Sequence, residues 1–117
     1  MLQFTKTHEI QVCLEAVDMR KSIDGLLAKV MDSFDCDAQS KTVFVFCNKA
    51  KDKVKLLIWH KNGFVLVYKR LERGRFKLKL ENNGKLTINY QQLSWLLAGL
   101  EFQLMNEFNE LSYRDYY

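Results

Sequence analysis

"TVFVFCNKAKDKVKLLIWHKNGFVLVYKR", residues 42–70, decides the fold. It contains three runs rich in β-branched and aromatic residues, "TVFVFC", "KVKLLIWH" and "FVLVYKR", which is the composition of strands. Asn62 and Gly63 both tolerate positive φ, so they predict a two-residue hairpin turn between the last two runs. That turn would set Lys61 opposite Phe64, Trp59 opposite Leu66, Leu57 opposite Tyr68 and Lys55 opposite Arg70. Side chains alternate along a strand. Val54, Leu56, Ile58, Val65, Val67 and Leu71 therefore share an apolar face, while Lys53, Lys55, Trp59, Tyr68 and Arg70 point the other way. If the loop "NKAKD" pairs Cys47 with Lys53, Phe44 and Phe46 join the apolar face.

Upstream, "IQVCLEAV" alternates as a short strand with Ile10, Val12 and Leu14 on one side. Ile23, Leu26, Leu27, Val30, Met31 and Phe34 recur at three and four, the stripe of an amphipathic helix. Asp18 is its expected N-cap, which would pair Arg20 with Asp24 and put Arg20 and Lys21 in a first turn, against the helix dipole. Nearby acids or a bound anion would be needed there. Downstream, Gly74 suggests a turn, and "RFKLKL" a short strand with Arg75, Lys77 and Lys79 facing solvent. "NNG" at 82–84 is a second turn signal. "NYQQLSWLLAGLEF" predicts a helix capped by Asn89, with Leu93, Leu96, Leu97 and Leu100 on one face.

The expectation is an α+β fold: an antiparallel sheet of about four to five strands with two helices packed on one face, the basic face left partly open. Residues 1–102 form the single domain, and 103–117, acidic and aromatic, form a tail or helix extension. The 117 residues, 48% hydrophobic and 27% charged, are enough for one soluble core and too few for two. No apolar run approaches the roughly 18 residues of a membrane span, and the first ten residues lack a signal-peptide pattern, so a cytoplasmic protein without membrane contact is expected. Cys13, Cys36 and Cys47 are too scattered for a disulfide framework or a metal knuckle and read as reduced, mostly buried thiols.

No catalytic, cofactor or metal site emerges. His8 and His60 have no activated partner nearby in sequence, and Asp32, Asp35 and Asp37 lack a calcium-loop pattern and read as a solvated helix end. A metal-dependent nuclease would need an acidic cluster beside the basic face, which the sequence does not offer. The protein is expected not to be an enzyme.

The charge distribution carries more information. Lys41–Lys85 holds 13 lysines and arginines against three acids, a net +10 in a chain whose total is +4, so the flanks are acidic. "YKRLERGRF" at 68–76 alone packs Lys69, Arg70, Arg73 and Arg75 among aromatic rings. Such a surface could be a solvated sheet face, a dock for an acidic protein or a second copy, or a phosphate-contacting surface on which Trp59 or Tyr68 stacks. On the last reading the nucleic-acid-binding residues are Arg20, Lys21, Lys53, Lys55, Trp59, Tyr68, Lys69, Arg70, Arg73 and Arg75.

Three blocks carry a family likeness: "DMRKSIDGL" at 18–26, "FVFCNKAKDKVKLLIWHKNGFVLVYKRLERGRF" at 44–76 and "LTINYQQLSWLLAGLEF" at 86–102. Together they resemble the TnpB accessory proteins of insertion sequence 66 type, which are distinct from the RNA-guided nuclease of the same label. The likeness falls on Asp18, Met19, Arg20, Lys21, Asp24 and Gly25, and on Lys69 through Phe76. Where many relatives continue with a Trp-Pro pair, this chain has Lys77 and Leu78. The resemblance implies a small bacterial protein encoded beside a much larger transposase and needed with it for movement of the element. Taken with the basic patch, the expectation is a non-catalytic accessory factor whose partners are the DNA of the element ends and that transposase. A homo-oligomer is compatible with it. The competing expectation is a protein-interaction module that recruits or shapes the transposase without touching DNA.

Overall fold

The computed structural model describes residues 8–34 and 36–101. The tail or helix extension expected at 103–117 lies outside the described residues. The elements run β1 (Glu9–Cys13), α1 (Ile23–Ser33), β2 (Thr42–Cys47), β3 (Lys53–His60), β4 (Gly63–Arg70), β5 (Lys85–Ile88) and α2 (Tyr90–Leu97). The five strands form one open sheet in the order β4-β3-β2-β1-β5. Its pairs are antiparallel except β1 with β2, which α1 connects as a crossover and which run parallel. The α+β class and the five strands are as the sequence implied.

The β3–β4 hairpin forms, but its turn is Lys61-Asn62, with Lys61 at φ 56° and His60 paired with Gly63. Each expected pair is displaced by two positions, so Trp59 meets Phe64 and Leu57 meets Leu66. The new register packs the Trp59 and Phe64 rings edge to face, 4.9 Å between centroids. An even displacement moves no side chain to the other face, so the expected sorting within the hairpin survives.

The β2–β3 connection differs with larger effect. Asn48 Oδ1 accepts hydrogen bonds from the backbone N–H groups of Asp52 (3.1 Å) and Lys53 (3.0 Å), closing the loop so that Cys47 pairs with Val54 rather than Lys53. Phe44 then lies opposite Leu57 and Phe46 opposite Lys55, so both phenylalanines are on the lysine-bearing face. Every residue of β2 is buried, with Val43, Val45 and Cys47 on one side and Phe44 and Phe46 on the other. A strand apolar on both sides needs cover on both. The two helices accordingly take opposite faces, correcting the expectation that they share one. Leu93 and Leu96 of α2 join Ile10, Val12, Leu56 and Ile58, whereas Leu26 and Val30 of α1 join Phe44, Phe46 and Leu57.

Ser22, four residues beyond the expected Asp18, is the N-cap of α1. Asp18 instead closes a turn ahead of the helix, its carboxylate accepting from the Arg20 backbone N–H at 2.9 Å and its carbonyl from Lys21 N–H at 3.1 Å. Arg20 and Lys21 therefore precede the first helical turn, and Arg20 pairs with Asp18 instead of Asp24. Met31 is 82% exposed, so it leaves the expected stripe. In α2 the expected Asn89 cap forms a complete capping box with Gln92. The helix ends in a Schellman arrangement: Gly99 N–H donates to the Leu96 carbonyl and Leu100 N–H to that of Trp95. Gly99 adopts φ +79°, which costs a residue with a Cβ about 1 kcal/mol, and the chain turns there so that Leu100 stays exposed.

"RFKLKL" makes no ladder, and the fifth strand is Lys85–Ile88. Its alternation nonetheless holds: Phe76 and Leu78 are buried against the α2-side core, and Arg75, Lys77 and Lys79 are exposed. Phe76 N–H donates to the Lys51 carbonyl at 2.7 Å, fixing this segment to the β2–β3 loop.

Candidate nucleic-acid interface

The cations gather at the end of the sheet where β2 hands over to β3, around residues 48–53. Asn48 organises that loop. Besides accepting the two backbone bonds, its Nδ2 donates to the Asp52 carboxylate at 2.7 Å. That bond, helped by the charges of Lys53 and Arg75, holds the Asp52 carboxyl below its usual range. Lys51 sits at φ 62°, a left-handed position that reverses the chain and presents neighbouring lysines to either side of the sheet.

One groove, about 730 Å³, opens on the α1 side. Arg20, Lys49, Lys53 and Tyr68 line it, with Asp18 as its acid. Asp18 is already taken by Arg20, 2.6 Å away, and this pairing pulls its carboxyl down to about 2. Tyr68 is half exposed, its ring presented beside the cations. A second groove, about 520 Å³, lies between the same loop and residues 75–79. Lys49, Lys51, Arg75, Lys77 and Lys79 surround it, with Glu101 as its acid. Lys49 belongs to both, so the two form one belt of seven cations and two acids.

Of the ten residues singled out from sequence, the belt includes Arg20, Lys53, Tyr68 and Arg75. Arg70 faces Lys53 across the ladder and is engaged by Glu72 at 2.8 Å. Arg73 is exposed on the turn that leads to Arg75, and Lys21 is exposed beside Arg20. Lys55 is internal architecture: its Nζ donates to the carbonyls of Met19 (2.7 Å) and Lys21 (2.9 Å) and lies 5.7 Å from the centre of the Tyr68 ring. Lys69 is on the opposite face, where Nζ donates to the Leu97 carbonyl at the end of α2 (2.6 Å). Trp59 packs on Phe64 near the hairpin turn, six residues and about 20 Å along β3 from Lys53.

Sequence reasoning missed Lys49, Lys51, Lys77 and Lys79. The signal was present, since "NKAKD" offers two lysines in a loop and "RFKLKL" alternates cation with apolar residue. What could not be read was that residues 75–79 return to the β2–β3 loop. Elsewhere, burial pushes the Cys47 thiol up to about 11 and raises that of Cys13, marking both as unreactive core groups. Among the described residues no group of three or more His, Cys, Asp or Glu is placed to hold a metal ion, and no helix is long and apolar enough to cross a membrane.

The sequence pattern described as IS66 Orf2 like protein matches residues 8–107, nearly the whole chain, and the chain belongs to that family. Membership implies an accessory role in transposition of an insertion sequence. The match begins ten residues before the "DMRKSIDGL" block and ends five residues after the "LTINYQQLSWLLAGLEF" block. Among curated proteins the chain is 32% identical over 93 residues to the uncharacterized protein y4jC of Sinorhizobium fredii, covering 80% of each chain. It is 27% identical over 103 residues to the uncharacterized protein y4hO of the same organism, covering 88% of this chain and 90% of that one. No solved structure matches.

Proposed function

We propose that the protein is a non-catalytic accessory factor that grips the phosphate backbone of DNA at the ends of its insertion sequence, in the bacterial cytoplasm and alongside the element's transposase. The observation that carries this reading is the meeting of two open cationic grooves at Lys49. A belt this rich in lysine and arginine gains affinity by releasing counterions from a polyanion, whatever its sequence. Tyr68 adds an exposed ring beside the α1-side groove, suited to stacking on a splayed base. On this reading the contact surface is the loop end of the sheet together with Arg75 of the RGRF turn, in place of the broad strand face.

Fluorescence anisotropy with a labelled duplex from the element end tests this across a salt series. Engagement of four to five phosphates gives a log–log slope of about −4. Absence of binding at low salt, or binding indifferent to salt, removes the proposal.

A second reading rests on a separate feature. A hollow of about 310 Å³ between β4 and α2 is lined by Tyr90, Leu93, Leu97 and Ala98, with Lys69 at its edge. It would suit an apolar side chain of the transposase, making the protein a docking module with no DNA contact of its own. Co-purification with transposase that survives nuclease treatment, together with no DNA binding by the isolated protein, would select it.

A further inference from the structure

Strand β4 is one edge of the sheet, and its ladder with β3 runs from the His60–Gly63 pair to the Lys53–Arg70 pair without a bulge. Just beyond it, Leu71 N–H donates to the Asp52 carbonyl. Counting back by twos, the backbone groups of residues 69, 67, 65 and 63 face β3, and those of Phe64, Leu66, Tyr68 and Arg70 face outward. Among the described residues no backbone group bonds to that outward row. Sheet edges are ordinarily guarded by charge, proline, bulges or shortness. The opposite edge, β5, is only four residues long and begins with Lys85. In β4 the stretch "GFVLVY" at 63–68 has neither a charge nor a proline. The two cations that follow are engaged, Lys69 with the Leu97 carbonyl and Arg70 with Glu72. An edge of this composition is a template for another strand. We infer that β4 pairs antiparallel with β4 of a second copy, making one continuous sheet across two chains with Val67 at the two-fold axis.

The strand's own sequence selects this occupant. Pairing about Val67 joins Phe64 to Arg70, Val65 to Lys69 and Leu66 to Tyr68 of the second copy, so the outward groups of 64, 66, 68 and 70 satisfy one another along the whole strand. Each Arg70 then lies beside a Phe64 ring, and the half-exposed Tyr68 gains Leu66 as an apolar neighbour. Charge fixes the direction. Antiparallel strands hold the two Arg70 residues about 20 Å apart, beyond the roughly 8 Å screening length, whereas parallel strands would bring both basic ends together. A two-fold pair also closes, leaving no β4 edge for a further chain. The axis stands perpendicular to the sheet, so the α1-side grooves of both copies open on one face. The pairing itself does not depend on what those grooves bind.

Sedimentation equilibrium of the full chain should give the mass of two chains. Val67→Lys and Val67→Glu each set like charges face to face at the axis and should weaken self-association roughly tenfold or more. Mixed in equal amounts, the two variants should recover a dimer with one chain of each, seen by native mass spectrometry. A Cys36→Ser background removes the exposed thiol. In it, Val67→Cys should form a disulfide-linked dimer on mild oxidation and Val65→Cys should not, because residue 65 lies about 13 Å along the strand from its counterpart. A dimer indifferent to both charged variants, charged variants that are folded by circular dichroism yet do not recombine, or a dimer linked as readily through 65 as through 67 would overturn the inference. So would a monomeric parent chain. Hydrogen exchange then names the occupant: slow Phe64, Leu66 and Tyr68 amides only with transposase present assign the edge to that protein, and slow amides in the lone monomer assign it to a segment of the same chain.

Discussion

Lys55 Nζ, standing on the α1 side of the sheet, donates a 2.7 Å hydrogen bond to the Met19 carbonyl. A second bond, to Lys21, makes this lysine the tie between β3 and the turn that launches α1. A charged donor serving two carbonyls is worth more than a neutral one, though its partly exposed setting reduces the gain. Lys55→Met keeps the stem and removes the ammonium. It should lower unfolding free energy by about 1 kcal/mol in urea denaturation. DNA affinity should change less than with Lys49→Ala, because Lys55 is directed at protein carbonyls.

Asn48→Ala is expected to cost about 1–2 kcal/mol, since two backbone N–H groups and the Asp52 carboxylate lose their partner together. Its functional effect should be larger than its charge would suggest. Asn48 bears no charge, yet it fixes the loop that presents Lys49 and Lys51. Weaker DNA binding with an unchanged salt slope is the expected signature, because the number of phosphate contacts stays the same while the loop must be ordered on binding.

Much of this architecture was readable from local chemistry. The Asn89 cap, the alternation of β1 and the sorting of the β3–β4 hairpin all depend on neighbouring residues and emerged as expected. The readings that failed turned on one side chain making a bond the pattern does not announce. Asn48 closes its loop one residue late on the β3 side, which transfers Phe44 and Phe46 to the other face and requires a helix on each side. Asp18, read as a helix cap, closes a preceding turn. The site was legible as charge but not as geometry. Alternation along β4 already separates Lys69 from Arg70, but nothing local in "YKRLERGRF" reveals that Lys69 reaches the end of α2 or that Phe76 is bonded to Lys51.

The Asp18–Arg20 pair makes a prediction about pH. Hydrogen bonds from the Arg20 side chain, followed by its backbone N–H, pull the Asp18 carboxyl from 3.8 to about 2. A carboxyl depressed in the folded state contributes stability above its unfolded value, and that contribution is lost as pH falls from about 3.8 through about 2. Both groups are well exposed, so the effect is better seen by site-resolved titration than by melting. Carbon-detected NMR should place the Asp18 midpoint near 2 and return it toward 3.8 in Arg20→Ala.

Helix α2 has no basic residue in its own last turn, and Lys69 reaches from β4 to the Leu97 carbonyl to supply one. A cation at a helix C-terminus is worth about 0.3–1 kcal/mol when exposed. Lys69→Met should destabilise the protein by that amount, with faster amide exchange at Ala98, Gly99 and Leu100, whose N–H groups close the helix end. High salt should narrow the difference between the two proteins.

The last prediction separates the loop-end belt from the strand face on which sequence alone would place DNA. Lys49→Ala, Lys51→Ala and Arg75→Ala together remove three cations that point into the shared grooves and leave the core untouched. If each meets one phosphate, the salt slope should shrink in magnitude by about 2–3. Lys69→Ala and Trp59→Ala provide the contrast, since the first residue caps α2 and the second packs on Phe64 at the far end of β3. Both should bind element-end DNA with the parent slope, measured on protein confirmed as folded by circular dichroism. A triple variant with the parent slope, beside a diminished slope for Lys69→Ala or Trp59→Ala, would place the DNA on the strand face and not at the loop.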